Sequence, residues 1–333
     1  MGIVAIPARV FIDTNHLIYM AKIAAGQSLP PDLERRRLAY LSLTKMIHRG
    51  QITPLFYEVQ AWEWLRDNPS LARAKKLAAL LDASPQLMMV ESDPTVFAAE
   101  LLTEVGRLFP HLGIPDLPLV RHFSMTNPVA TYLSKFRSVL RTIRRERAVE
   151  TLSKPNSVTL FLELCFPEIR NGAHKWVNAI DWTRESWQST RNALVDKPRG
   201  TQLPESAIRE WLLGYTGFAE MARELGLEGS PEGILEQVDL SRCRATVTFI
   251  RAFEVFARST SKWSDDHDST DVTFAVPVCL SDHALVDRKW RDLFDRCLRR
   301  ASTHAPRVFA NADSLPQVHS DVTELVGRLD TAT

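Results

Sequence analysis

The stretch that most constrains the fold is residues 9–20, Arg9-Val10-Phe11-Ile12-Asp13-Thr14-Asn15-His16-Leu17-Ile18-Tyr19-Met20. Val10-Phe11-Ile12 has the β-branched and aromatic content of a short buried strand. The run stops at Asp13, and Thr14 or Asn15 is placed to cap a helix through Leu17, Ile18 and Met20. A carboxylate therefore lies between the carboxyl end of a strand and the start of a helix, the edge at which open α/β sheets bind ligands. One Asp in that place is an ordinary helix cap. The far end of the chain repeats the arrangement, however. Ala284-Leu285-Val286 reads as a strand ending in Asp287, and Asp271 opens a short apolar helix ahead of it. Two strands ending in Asp, with a third Asp at a helix start, suit a divalent cation.

The first 90 residues alternate strand and helix. Asp32 opens a helix with Leu33, Leu38, Leu41, Leu43 and Met46 as its apolar positions, and Gly50 follows its end. Ile52-Thr53 is a minimal strand, and Pro54 suits the first position of a helix over Leu55–Leu65. Ser70 caps a helix to about Asp82, and Leu87–Val90 is a third strand. Such alternation predicts a parallel sheet with crossover helices. Between 93 and 240 few strand signals occur, and helices are expected at 95–108, 129–152, 182–196 and 205–226. After a helix at 241–259 the α/β pattern resumes with strand 284–286, helix 288–299, strand 307–310 and a weak helix at 319–328. The expected architecture is α/β: an α/β/α core from residues 1–92 and 240–333, interrupted by an all-α insertion at 93–239.

Composition sets bounds on partners. With 41 Lys and Arg against 40 Asp and Glu, the chain is no polycation, so nucleic-acid contact would have to come from a local basic patch. The four cysteines, Cys165, Cys243, Cys279 and Cys297, include no C-x-x-C pair, which fits reduced thiols and a cytoplasmic setting. No run approaches 18 uninterrupted apolar residues, and no membrane partner is expected.

Phe11-Ile12-Asp13-Thr14-Asn15, then Asp271, then Leu285-Val286-Asp287 resembles the PIN-domain nucleases. Their hallmarks are an opening strand ending in (F/I)-D-T-N, an acidic residue early in a following helix, a later Asp at a helix start and a strand ending in (V/T)-x-D. Ala275-Val276-Pro277-Val278-Cys279 with Asp282 looks like a recurrent A-V-P-Y-C-D version of the third position. The likeness covers roughly residues 8–92 and 240–318 and leaves the middle of the chain unexplained. It implies a PIN-like, Rossmann-like core and a Mg²⁺- or Mn²⁺-dependent nuclease, an endoribonuclease acting on RNA rather than DNA. It further implies in-line attack of water on phosphorus, leaving a 5′-phosphate and a 3′-hydroxyl. Asp13, Glu58, Asp271 and Asp287 are then the metal-holding carboxylates, with Asp282 as a further ligand or an exposed turn residue and Asn15 orienting the first Asp or the water. A protein inhibitor or a second copy of the chain stand as further partner classes.

The residues leave several assignments open. Glu58 is about one turn into the helix expected from Pro54, and Glu63 is its alternative; the two point to different faces. Asp268 competes with Asp271 as cap or ligand. Asp265 and Asp266 suit a solvated acidic loop, and His267 and His283 suit loop histidines. Arg137, Arg141, Arg144 and Arg145 share one helix face at i, i+4, i+7 and i+8, which suits an RNA backbone or a solvated face paired with acids. Arg288 opens the helix after Asp287 and is the basic residue placed to face the site. The eight tryptophans sit at core spacing. Two other readings compete: a PIN fold without catalysis that serves as a nucleic-acid or protein binding scaffold, and a phosphotransferase of the haloacid-dehalogenase type. The latter needs a second Asp two residues after the first, where this chain has Asn15.

Overall fold

The computed structural model describes residues 7–34, 36–66, 71–123, 132–133, 135–136, 157–163, 185–198, 200–259, 271–301 and 307–310. Among these residues, six strands form one sheet in the order β4-β3-β2-β1-β5-β6. They are β1 (Ala8–Ile12), β2 (Ile52–Tyr57), β3 (Met88–Val90), β4 (Val120–His122), β5 (His283–Val286) and β6 (Arg307–Ala310). All neighbours run parallel except β3 and β4. The chain lays down β1, β2 and β3 in one direction across the sheet, then returns to the other side of β1 to add β5 and β6. That reversal makes the gap between the carboxyl ends of β1 and β5 the topological switch point.

Twelve helices are labelled in chain order: α1 (Thr14–Ala24), α2 (Pro31–Glu34), α3 (Arg37–His48), α4 (Glu58–Arg66), α5 (Leu71–Asp82), α6 (Asp93–Leu108), α7 (Glu205–Thr216), α8 (Phe218–Glu224), α9 (Pro231–Gln237), α10 (Arg244–Ser259), α11 (Ala275–Leu280) and α12 (Arg288–Ala301). Strand alternation sends neighbouring residues to opposite faces. Val10, Ile12, Ile52, Phe56, Met89 and Leu285 pack with α1, α3 and α5. Phe11, Leu55, Tyr57, Val90, Ala284 and Val286 pack with α6 to α12. The second layer is one apolar cluster that holds residues from both 93–239 and 240–333.

Several local expectations change. The helix expected from Pro54 is instead the continuation of β2, buried at all six positions. Pairing with β3 starts only at Leu55, so the residue lacking an N–H lies outside that ladder. Glu58 consequently opens α4 at the end of β2, one turn earlier in its helix than expected. Residues 205–226 are two helices, divided at Gly217, whose φ of 66° is left-handed. β4 adds a strand within 93–239, antiparallel at the sheet edge. Most of the helix expected at 129–152 and all of 319–328 fall outside the described residues.

A buried carboxylate ties α6 to α10. Ala245 N donates to Glu100 Oε1 at 2.8 Å, and Thr246 donates to Oε2 from its backbone N at 2.8 Å and its hydroxyl at 2.7 Å. Glu100 thus serves as the acceptor that the first turn of α10 needs. Burial raises its pKa, while these donors favour its charged form. Replacing Glu100 with Ala is expected to lower the unfolding free energy by about 2–4 kcal/mol, because buried donors lose their acceptor. Glu100→Gln, which keeps one carbonyl oxygen, is expected to lose roughly half as much. Urea denaturation of both variants checks this.

Candidate functional site

The carboxyl edge of β1 and β5 is built by backbone pairing. Phe11 is in register with Ala284 and Ile12 with Leu285, so the residues that follow each strand emerge side by side. Asp13 N donates to Leu285 O at 2.9 Å, and Asp287 N donates to Asp13 Oδ2 at 3.2 Å. The two acids, separated by 274 positions, are therefore joined through one hydrogen bond. Each also precedes a helix. Asp13, not Thr14 or Asn15, is the N-cap of α1, accepting Asn15 N on its side chain. The Asp287 carbonyl accepts from Trp290 N and Arg291 N in the first turn of α12. The cap and site readings of Asp13 thus hold together in one side chain.

Asn15 is turned away from the cap. Its Nδ2 donates to Asp287 Oδ2 at 2.7 Å, across the switch point. Asp271 belongs to the same group: Trp290 Nε1 donates to its Oδ2 at 2.7 Å, and its charge acts on Asp13. Asp13 is 2% exposed. Burial, then the charges of Asp287 and Asp271, push its carboxyl pKa well above the usual range, against the backbone donors from Asp287 and Asn15. Three acids thus crowd one edge, and their mutual repulsion is what a cation would relieve. Among the described residues, no three His, Cys, Asp or Glu side chains are already grouped as a metal cage.

Glu58 lies at the next strand end, with different company. Ser92 N donates to its Oε2 at 3.1 Å, and its charge acts on Asp93 and Tyr57. Asp93 opens α6 just beyond β3 and is buried, accepting hydroxyls from Tyr215 and, at 3.5 Å, from Tyr57. Burial lifts Asp93 to about 6. Glu63 faces elsewhere, accepting the Thr14 hydroxyl at 2.5 Å. Glu58 and Glu63 therefore leave α4 toward β3 and toward α1 respectively. Buried Gln60 links the two strand ends, accepting Tyr57 N at 3.1 Å and donating to Ile12 O at 2.8 Å.

Asp282 is the clear correction among the acidic candidates. It precedes β5, whereas the site lies beyond the strand's other end. It accepts Arg9 N at 2.8 Å and is bridged by the Arg9 guanidinium at 3.0 Å. Partial burial would raise its pKa, but the Arg9 contacts outweigh this and hold it below the usual carboxylate range. It cannot share an ion with Asp13. Arg288 is exposed in the first turn of α12, beside Asp287. Arg137, Arg141, Arg144 and Arg145, with Asp265, Asp266, His267 and Asp268, lie outside the described residues.

Two participants went unmarked in the linear reading. Asp93 follows a strand by three residues, a position that no motif marks. Trp290 sits three residues after Asp287, and its core spacing concealed the N–H it gives to Asp271.

Two measurements follow from this geometry. Asp93 has a folded pKa above its unfolded value, so the folded state holds the proton more tightly. Its contribution to stability is present below about pH 4 and is lost as pH rises through about 6. Relative to Asp93→Asn, the wild type is expected to lose roughly 2–3 kcal/mol across that window, read from urea midpoints at each pH. Asp282→Ala, at the opposite edge and partly solvated, is expected to cost about 0–1 kcal/mol and to leave the chemistry of the Asp13 edge unchanged, as read by denaturation and by any activity of the wild type. No protein-family model, curated protein or solved structure matches this chain.

Proposed function

We propose that the chain is a metal-dependent phosphodiester hydrolase of the PIN type, acting on RNA. The observation that carries the reading is the meeting of Asp13, Asp271 and Asp287 at the switch point, with Asn15 bridging to Asp287. This donor set is all oxygen, as hard cations prefer, and Mg²⁺ keeps several waters, so a few carboxylates suffice without a closed protein cage. In this reading Asp13, Asp271 and Asp287 hold Mg²⁺ or Mn²⁺, while Glu58, expected as a fourth ligand, lies one strand further on beside Ser92 and Asp93. The bound ion supplies charge neutralisation at the phosphate and acidifies water.

The chain's own residues do the remaining work. Asn15 fixes the orientation of Asp287, and Trp290 does the same for Asp271. The N-termini of α1 and α12 open at the same edge, so their peptide dipoles favour negative charge there. Arg288 adds a cation for the flanking nucleic-acid backbone. Arg137, Arg141, Arg144 and Arg145, outside the described residues, are the further RNA-contacting candidates in the same proposal.

Asp13→Asn is expected to reduce cleavage of a single-stranded RNA by about 10³-fold or more. The fold should persist, and the melting temperature should be equal or higher at neutral pH, since a buried repelling charge is removed. Mn²⁺ at 100 times its Kd should stabilise the wild type by about 2.7 kcal/mol and the variant much less. Cleavage by well-folded Asp13→Asn would overturn the assignment. Absence of both cleavage and a Mn²⁺ effect in the wild type would favour the scaffold reading.

A further inference from the structure

Asp13 is flanked in the chain by two groups that α4 holds. On one side, Gln60 Nε2 donates to Ile12 O at 2.8 Å. On the other, the Thr14 hydroxyl donates to Glu63 Oε2 at 2.5 Å and accepts Trp64 Nε1–H at 3.1 Å. A single hydroxyl thus works as donor and acceptor at once. Gln60, Glu63 and Trp64 stand at i, i+3 and i+4, so they share one face of α4. Thr14, Gln60 and Trp64 are 6%, 0% and 6% exposed. A buried polar network in which each bond is made holds one geometry and is costly to break. α4 is anchored in turn: it follows β2 directly, and Gln60 Oε1 accepts Tyr57 N at 3.1 Å.

We infer that Gln60, Glu63 and Trp64 are positioning residues of the site, which fix the Ile12–Asp13–Thr14 turn and thereby the Asp13 carboxylate against Asp287. The sheet order explains why such a brace is needed. β1 lies between β2 and β5. Pairing with β5 fixes the Asp13 amide from one side, at 2.9 Å from Leu285 O. The carboxylate itself is held more loosely. It accepts Asp287 N at 3.2 Å and Asn15 N at 3.4 Å, at and beyond the long end of the usual range. It also shares the edge with two further acids, whose charges repel it. The shorter bonds from α4 restrain the same turn from the β2 side. Glu63 therefore acts on the site through Thr14, one residue away from the carboxylate. Outer hydrogen bonds of this kind orient metal-holding carboxylates. The bearing on metal binding and catalysis rests on the nuclease reading; the brace does not.

Thr14 is the position at which to test this, since Trp64 also packs on Phe56 and its removal would disturb the core. Thr14→Val keeps the shape and deletes the hydroxyl, and Thr14→Ser keeps the hydroxyl. Leu43→Ala, a cavity in the same apolar layer, controls for lost stability. The first readout is the Asp287 backbone amide in ¹H–¹⁵N spectra of the full chain without metal, because that N–H reports the place of the Asp13 carboxylate. It is expected to move upfield in Thr14→Val and to stay near wild type in Thr14→Ser and Leu43→Ala. An unmoved amide in Thr14→Val, or an equal movement in all three, would overturn the inference. Glu63→Ala against Glu63→Gln, which keeps an acceptor oxygen, reads the same contrast from the other end of the bond. With Mn²⁺ and RNA, Thr14→Val is expected to lose about 10–100-fold in metal affinity and in kcat, with KM for RNA unchanged. Thr14→Ser and Leu43→Ala should stay within about 3-fold. Equal losses in Thr14→Val and Leu43→Ala would refute the positioning role. If the wild type neither binds Mn²⁺ nor cleaves RNA, the nuclease reading falls, and the Asp287 amide still decides whether α4 positions Asp13.

Discussion

Parallel pairing of β1 with β5 is the interaction on which the rest depends. Its register places Ile12 against Leu285, so the next residue of one strand and the second of the other face each other across a single hydrogen bond. Everything at the candidate site hangs from that register. A slip of one residue would turn Val10 and Ile12 to the opposite helical layer and part Asp13 from Asp287. The apolar sets on the two faces prevent such a slip: Phe11 meets Phe274 edge-on at 5.3 Å, and Ile12 packs into the other layer. Core packing and site geometry are thus one constraint.

That constraint forces carboxylates into burial. Asp13 is held among Asp287 and Asp271 and away from water, with backbone amides and helix N-termini as counterweights. One strand further on, Asp93 is buried among tyrosine hydroxyls, beside Glu58. By contrast, Glu91 at the sheet edge has a buried cation of its own, Arg121 at 2.9 Å. The difference is instructive. Where a charge serves only the fold, a matched partner is provided; at the carboxyl edge of β1 and β5, acids are placed against acids.

Much of this was legible in the chain. Short continuous apolar runs mark β1, β3 and β5, and an Asp directly after β1 and after β5 marks the ligand edge. What escaped the linear reading escaped for physical reasons. Pro54 has two roles, helix opener or strand residue outside the β3 ladder, and only the position of β3 chooses between them. β4 has three residues, too few for a periodic signal, and exists because β3 has an unpaired edge. Asp282 stands five residues before Asp287, a short step in sequence that spans the whole strand and so lands on the opposite edge. Trp290 reads as core and Gln60 belongs to no motif, yet their polar atoms orient Asp271 and join β1 to β2.

The sequence by itself determined the alternation of elements, the apolar faces of the strands and the presence of carboxylates where strands end, because these follow from local periodicity and capping. Only the tertiary structure decided which acids meet. Asp13, Asp271 and Asp287 share an edge, Asp282 does not, and the charge of Glu58 acts on a residue, Asp93, that no motif marked. Strand order and register are long-range outcomes of packing two apolar faces at once, and no local pattern in the chain encodes the direction in which β5 is laid beside β1.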